Sequence, residues 1–168
     1  SENMWTTSWY ARDITDLISE IKYYKNKYNI QHLEFYDLTA IINKKWTQEF
    51  CRTLIKEELN LTWSLPSGTR SEALCKETLK LLKLSGCSKL TFAPETGSAN
   101  VLKIIDKRAN LSKMLIAMNN SAKEGIVTKA NIIFGFPGAT WTDFFWDFIF
   151  LFKMAIAGVH DVTCFAFV

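Results

Sequence analysis

Apolar positions along this chain recur with two alternating periods. At 14–28, Ile14, Leu17, Ile18 and Ile21 stand three and four apart, which predicts a helix with one core-facing stripe. Residues 32–37 alternate instead, Leu33 and Phe35 against His32, Glu34 and Tyr36, and read as a short strand. The pattern then repeats. Residues 47–59, with Phe50, Leu54 and Ile55 on one face, predict a second helix and 61–65 a second strand. A helix at 71–84 carrying Leu79 and Leu82 is stopped by Gly86 and gives way to a strand at 89–94. Helices at 98–107 and 111–124, the latter closed by Gly125, precede a strand at 128–135. A helix at 140–157 and a strand at 161–168 end the chain. Helical crossovers between successive strands imply a parallel α/β sheet, doubly wound or curling towards a barrel.

Strand faces decide between the two. A central strand of a doubly wound sheet is covered on both sides and is apolar on both. Here Leu90 and Phe92 oppose Lys89, Thr91, Ala93 and Glu95, while Ala130, Ile132 and Phe134 oppose Lys129, Asn131 and Gly135. Thr62 and Ser64 likewise oppose Leu61, Trp63 and Leu65. One face of each strand is polar or small, as in a partial (β/α) barrel whose inner face lines a solvent- or ligand-filled lumen. Functional residues of such a barrel stand where the strands end, after Asp37, Leu65, Pro94 and Gly135.

Composition narrows the class further. With 48% apolar residues, 22% charged, and only 7 Gly and 3 Pro, the chain is a folded globular piece of one domain, 1–168. Twenty Lys and Arg against 17 Asp and Glu leave +3, scattered over the chain, so charge gives no support to nucleic-acid binding. Asp143, Asp147 and Lys153 interrupt the most apolar stretch, 141–158, which argues against a membrane span. Cys51, Cys75, Cys87 and Cys164 form no close pair and no metal-binding knuckle; the expectation is buried, reduced thiols in a cytoplasmic protein, with no metal ligand in the chain.

Several strand ends carry residues suited to binding. Around Glu95, Gly97 and Ser98 the chain leaves a strand and opens a helix, so free amides and the helix dipole would favour an anion there; capping by Ser98 explains the same residues without a ligand. Gly135 would admit a flat ligand close to the backbone, ahead of Phe136 and a Pro-Gly turn in which Thr140 and Asp143 have capping-box spacing. Arg70 could clamp a carboxylate or phosphate, or pair at the surface; Asp37 could bind a hydroxyl or ammonium, or start a turn. His32 and His160 sit at strand starts, the stability end of a barrel. On helix 140–157, spacing predicts Phe144, Phe145, Phe148, Leu151 and Phe152 towards the core, with Trp146, Phe150 and Met154 beside Asp143 and Asp147 on the outer face.

Four stretches stand in a telling order: Phe35-Tyr36-Asp37; Arg70 with 79–87; Leu90 to Ser98 with its Pro-Glu-Thr-Gly-Ser end; and Asn131 to Gly138 with its Gly-Phe-Pro-Gly end. Together they resemble the radical S-adenosylmethionine enzymes, in particular the branch that usually carries a cobalamin-binding domain. The resemblance implies a partial (β/α) barrel, incomplete at both ends, that holds S-adenosylmethionine for 5′-deoxyadenosyl radical or cobalamin-dependent methyl-transfer chemistry. It also implies a four-iron four-sulfur cluster, an electron donor protein and a small-molecule or peptide substrate. Glu95, Gly97 and Ser98 would then lie by the ribose or methionyl part, Gly135 and Phe136 against the adenine, and Asp37 and Arg70 towards cofactor or substrate. The family's C-x-x-x-C-x-x-C motif is absent from these residues, which places the cluster ligands upstream of Ser1, and Ala139 stands where the family usually has an acid. A non-catalytic barrel remnant that binds a small anion or a partner protein is the alternative.

Overall fold

Asp13 starts the first helix, its carboxylate accepting from the amides of Thr15 and Asp16. The structure is a computed structural model and describes residues 10–37, 40–69 and 74–168. Helix α1 (Ile14–Tyr28) leads to β1 (His32–Glu34), α2 (Lys44–Lys56), β2 (Thr62–Thr69), α3 (Lys76–Leu84) and β3 (Cys87–Glu95). Helices α4 (Ala99–Ile104) and α5 (Leu111–Lys123) precede β4 (Val127–Phe134), α6 (Trp141–Ile156) and β5 (Asp161–Ala166). The elements fall where the periods predict them, with shifted ends. Asn43 caps α2, starting it three residues early, and β2 runs on beyond Leu65 to Thr69. Helix α3 starts at Lys76 with extended Cys75 at its N-cap, later than the predicted start at 71, a position outside the described residues.

The five strands are all parallel and lie in the order β1-β2-β3-β4-β5. Each new strand adds on the same side as the last, the progression of a barrel wall rather than of a doubly wound sheet, whose order reverses. The helix-side face carries the core: Trp63, Leu65, Leu90, Phe92, Ala130 and Ile132 pack under Ile18, Ile21, Phe50, Leu79, Leu82 and Met118. Phe35, Phe50 and Trp63 meet edge to face with centroids 5.6–5.9 Å apart. Each large side chain so buried contributes about 1.5–3 kcal/mol. Ile55, expected on the core face of α2, is exposed, and Cys51 takes the inner position.

Helix α6 corrects the sequence reading except at Trp146, exposed as expected, and Leu151, which packs partly buried against the core. Asp143, Asp147, Phe150 and Met154 form its buried stripe, while Phe144, Phe145, Trp146, Phe148 and Phe152 are exposed. Periodicity identifies stripes, and the more apolar one was assigned inward; the two carboxylates reverse this because they accept hydrogen bonds from the loop after β3. The cysteine expectation is also corrected in part. Cys51 and Cys87 are buried, Cys75 is half-buried and Cys164 on β5 is exposed; all four are free.

Candidate functional site

The C-terminal ends of β3 and β4 were predicted to carry the binding groups, and two of those groups open there. Glu95 closes β3 with φ of 65°, a left-handed conformation costing a non-glycine residue about 1 kcal/mol or more. Its carboxylate is anchored: Lys107 Nζ lies 2.7 Å from Oε1 and 2.7 Å from the Ala93 carbonyl oxygen. Lys107 comes from the turn after α4. Spacing assigned Lys107 to the end of the 98–107 helix, and nothing in the sequence marked it as the partner of Glu95; the structure ends that helix at Ile104 and frees the lysine to reach back.

On the neighbouring strand end Gly135 has φ of 83°, and a Cβ built there would meet no atom within 4 Å. The backbone is therefore open to a flat ligand at this point. Phe136 is half-buried, its ring 5.3 Å from that of Phe167 after β5. Asp37 stands in the loop after β1, exposed, with its carbonyl accepting from Ala40. Arg70 lies outside the described residues.

Gly97 and Ser98 turn the other way, towards α6. Asp147 Oδ1 accepts from the Gly97 amide and from the Thr96 hydroxyl, each at 2.6 Å. Ser98 Oγ caps α4 through the amides of Asn100 and Val101 and donates to Asp143 Oδ1 at 2.5 Å. Asp143 also accepts from Asn100 Nδ2, and closes the expected capping box with Thr140. The Ser98 hydroxyl foremost, then the Thr140 amide and hydroxyl, hold the Asp143 carboxyl well below the usual carboxylate range. These contacts fasten the strand end to its outer helix and leave Glu95 and the Gly135 backbone as the lumen-side groups. The sequence reading put Asp143 and Asp147 on the outer face; the feature that could have signalled this arrangement is two acids four apart on an otherwise aromatic helix.

An anchored carboxylate and an open, donor-bearing backbone at adjacent strand ends suit a nucleoside-like ligand, to which the carboxylate offers acceptors for hydroxyls. Among the described residues no group of three His, Cys, Asp or Glu is placed to hold a metal ion. Among those residues, too, no helix is long and apolar enough to cross a membrane.

The chain is similar to known proteins over most of its length. The chain is 26% identical over 132 residues to an uncharacterized methyltransferase of Pyrococcus horikoshii, covering 79% of this chain and 28% of that protein. It is 26% identical over 136 residues to the cytidylyl-2-hydroxyethylphosphonate methyltransferase of Streptomyces wedmorensis, covering 80% and 25%. The chain thus spans about a quarter of the length of these curated relatives. The radical S-adenosylmethionine methyltransferase TsrM of Kitasatospora setae, solved with cobalamin and a [4Fe-4S] cluster bound, superposes with a TM-score of 0.76 at 12% identity. That match covers 92% of this chain and 31% of the other. The radical SAM enzyme coproporphyrinogen III oxidase of Escherichia coli gives a TM-score of 0.63 at 14% identity, over 94% and 39%. At such identities the two structures establish the fold. Residues 4–148 match the family described as the Radical SAM superfamily, and the chain belongs to that superfamily.

Proposed function

We propose that this chain is the greater part of the radical domain of a radical S-adenosylmethionine methyltransferase of the cobalamin-using branch. The observation that carries the reading is the pairing of Glu95, anchored by Lys107, with the open backbone at Gly135, on strand ends of a sheet that matches the superfamily over residues 4–148. Relatives named methyltransferases support the reaction class.

S-adenosylmethionine, when bound, would supply a 5′-deoxyadenosyl radical or a transferable methyl group. This chain's own part is to bind, orient and exclude water. Glu95 would accept from the ribose hydroxyls or the methionyl ammonium, and Lys107 holds that carboxylate in place. The Gly135 backbone would take the edge of the adenine, with Phe136 flanking it. Asp37 and Arg70, from the ends of β1 and β2, would complete the cofactor or substrate contacts. Gly97 and Ser98 would serve by holding the turn beside Glu95, their amides being committed to Asp147 and to the Thr96 hydroxyl. The ligands of the iron-sulfur cluster are proposed to lie outside these 168 residues, as does any cobalamin-binding domain. A small-molecule or peptide substrate and an electron donor protein would be the partners.

The test is anaerobic incubation of the full-length protein with S-adenosylmethionine and reductant. Formation of 5′-deoxyadenosine or S-adenosylhomocysteine, reduced at least tenfold in Glu95→Ala, supports the reading. A full-length protein that takes up no iron and sulfide and turns over no S-adenosylmethionine favours the non-catalytic remnant instead.

A further inference from the structure

The sheet stops setting the distance between β3 and β4 just where the proposed cofactor groups begin. The ladder between these strands is interrupted between Phe92 and Glu95 and makes its last pair at Glu95 and Ile132. Gly135 lies three residues beyond that level, and the later pairs of β4, through Phe134, are with β5. Past the last rung, no ladder hydrogen bonds keep the two chain segments a set distance apart. A ligand gripped by both the Glu95 carboxylate and the Gly135 backbone needs that gap fixed in advance, since ordering it on binding would weaken affinity.

One side chain spans the gap. Asp143, in the first turn of α6, accepts at Oδ1 from the Ser98 hydroxyl at 2.5 Å, three residues past Glu95. Its Oδ2 accepts from Asn100 Nδ2 in α4 at 3.1 Å. The same oxygen accepts from the Thr140 amide and hydroxyl at 2.8 and 2.7 Å, five residues past Gly135. The links on either side are short and themselves tied: the Thr96 hydroxyl accepts from the Ser98 amide, and the Phe136 carbonyl accepts from the Ala139 amide. Asp147, one turn further along α6, has its donors, Thr96 and Gly97, in the β3 turn. Ile104 of α4 also stands beside Gly138, an apolar approach without the fixed length and direction of a hydrogen bond.

Helix capping explains half of these contacts. The bonds to Thr140 complete a capping box, which an exposed carboxylate makes equally well. Asp143 is instead 4% exposed, and a carboxylate is taken out of water only where further donors meet it. Here the further donors come from the turn that carries Glu95 and from the helix it opens.

Resting on the reading of Glu95 and Gly135 as two grips on S-adenosylmethionine, we propose that Asp143 is a positioning residue for the cofactor. It joins the turn after β3 to the turn after β4, and so holds the ribose-side carboxylate and the adenine-side backbone at one fixed separation. It touches no ligand itself.

The experiment uses the full-length, cluster-loaded protein, with the binding of radiolabelled adenosine and adenine measured by equilibrium dialysis. Adenosine can engage both grips, adenine only the Gly135 side. In the unaltered protein adenosine is expected to bind about tenfold or more tighter than adenine, an advantage that Glu95→Ala removes. In Asp143→Ala the advantage is expected to shrink to about twofold or less while adenine stays within about twofold, and adding Glu95→Ala is expected to change neither value further. That pattern supports the proposal, because a general loosening of the fold would weaken both ligands together. An Asp143→Ala protein that keeps the adenosine advantage, or loses adenine to the same degree, overturns it. So does a loss in Asp143→Ala that adds in full to that of Glu95→Ala. Ser98→Ala, which removes the bond to Oδ1 and leaves the capping box, takes the place of Asp143→Ala if that variant does not fold. A selective loss of the adenosine advantage in Ser98→Ala supports the proposal and a retained advantage overturns it. An unaltered protein with no adenosine advantage, or with one that survives Glu95→Ala, refutes the cofactor reading itself and the proposal with it.

Discussion

The Asp147 carboxylate on α6 sits 2.6 Å from the backbone nitrogen of Gly97, fifty positions earlier in the chain. The approach is possible because residue 97 has no side chain: a Cβ there would stand 2.4 Å from Phe150 Cβ and 2.7 Å from the Trp146 carbonyl oxygen. Gly97→Ala must push α6 away from the strand end and is expected to cost about 1–3 kcal/mol. Asp147→Ala, which strands two donors, is expected to cost about 2–3 kcal/mol. Urea unfolding followed by tryptophan fluorescence measures both, and a loss under about 0.5 kcal/mol in either would show that the contact does not hold the loop.

Asp143 gives the fold an acid-sensitive joint. Its carboxyl is held below the usual range in the folded chain, so folding favours the charged form. That contribution is complete above the unfolded-state value of about 3.9 and is lost as pH falls below it towards the folded value. Unfolding free energy is expected to decline as pH is lowered from about 5 to 2, with a shallower decline in Asp143→Asn. Identical pH slopes for the two proteins would assign the acid sensitivity to other groups.

Thiol chemistry should divide the cysteines in two. Burial pushes the Cys51 thiol up to about 11, and burial together with the nearby Cys51 pushes Cys87 up as well. Cys75 moves the other way, its thiolate favoured against burial by the Thr78 hydroxyl and amide and by Lys44. At neutral pH, alkylation followed by mass spectrometry is expected to label Cys164 and Cys75 and to spare Cys51 and Cys87 until the chain is unfolded. Early labelling of Cys87 would contradict the burial of β3.

The exposed aromatic stripe of α6 predicts association of the isolated 168-residue chain. Phe144 and Phe148 pack on each other and on Phe134 at centroid distances of 5.0–6.2 Å, and Phe152 extends the stripe at 67% exposure. Beside it, β5 presents an unpaired strand edge. Sedimentation of the chain at several concentrations is expected to show self-association that Phe148→Ser with Phe152→Glu relieves. A concentration-independent monomer of the unaltered chain would remove this inference.

The sequence by itself determined the order and type of the elements and the direction of the sheet. Helical and alternating periods are local properties, and helical crossovers leave parallel pairing as the outcome. The inner and outer faces of β2, β3 and β4 were legible for the same reason, because Trp63, Leu90 and Ala130 each alternate with small or polar neighbours. The tertiary structure decided what depends on contacts between distant segments. Helix α6 has two candidate inner faces, and only the presence of Thr96, Gly97 and Ser98 opposite Asp143 and Asp147 turns the acidic one inward, since a buried carboxylate is tolerable where donors meet it. Lys107 found Glu95 only through the turn that brings α4 back over the end of β3.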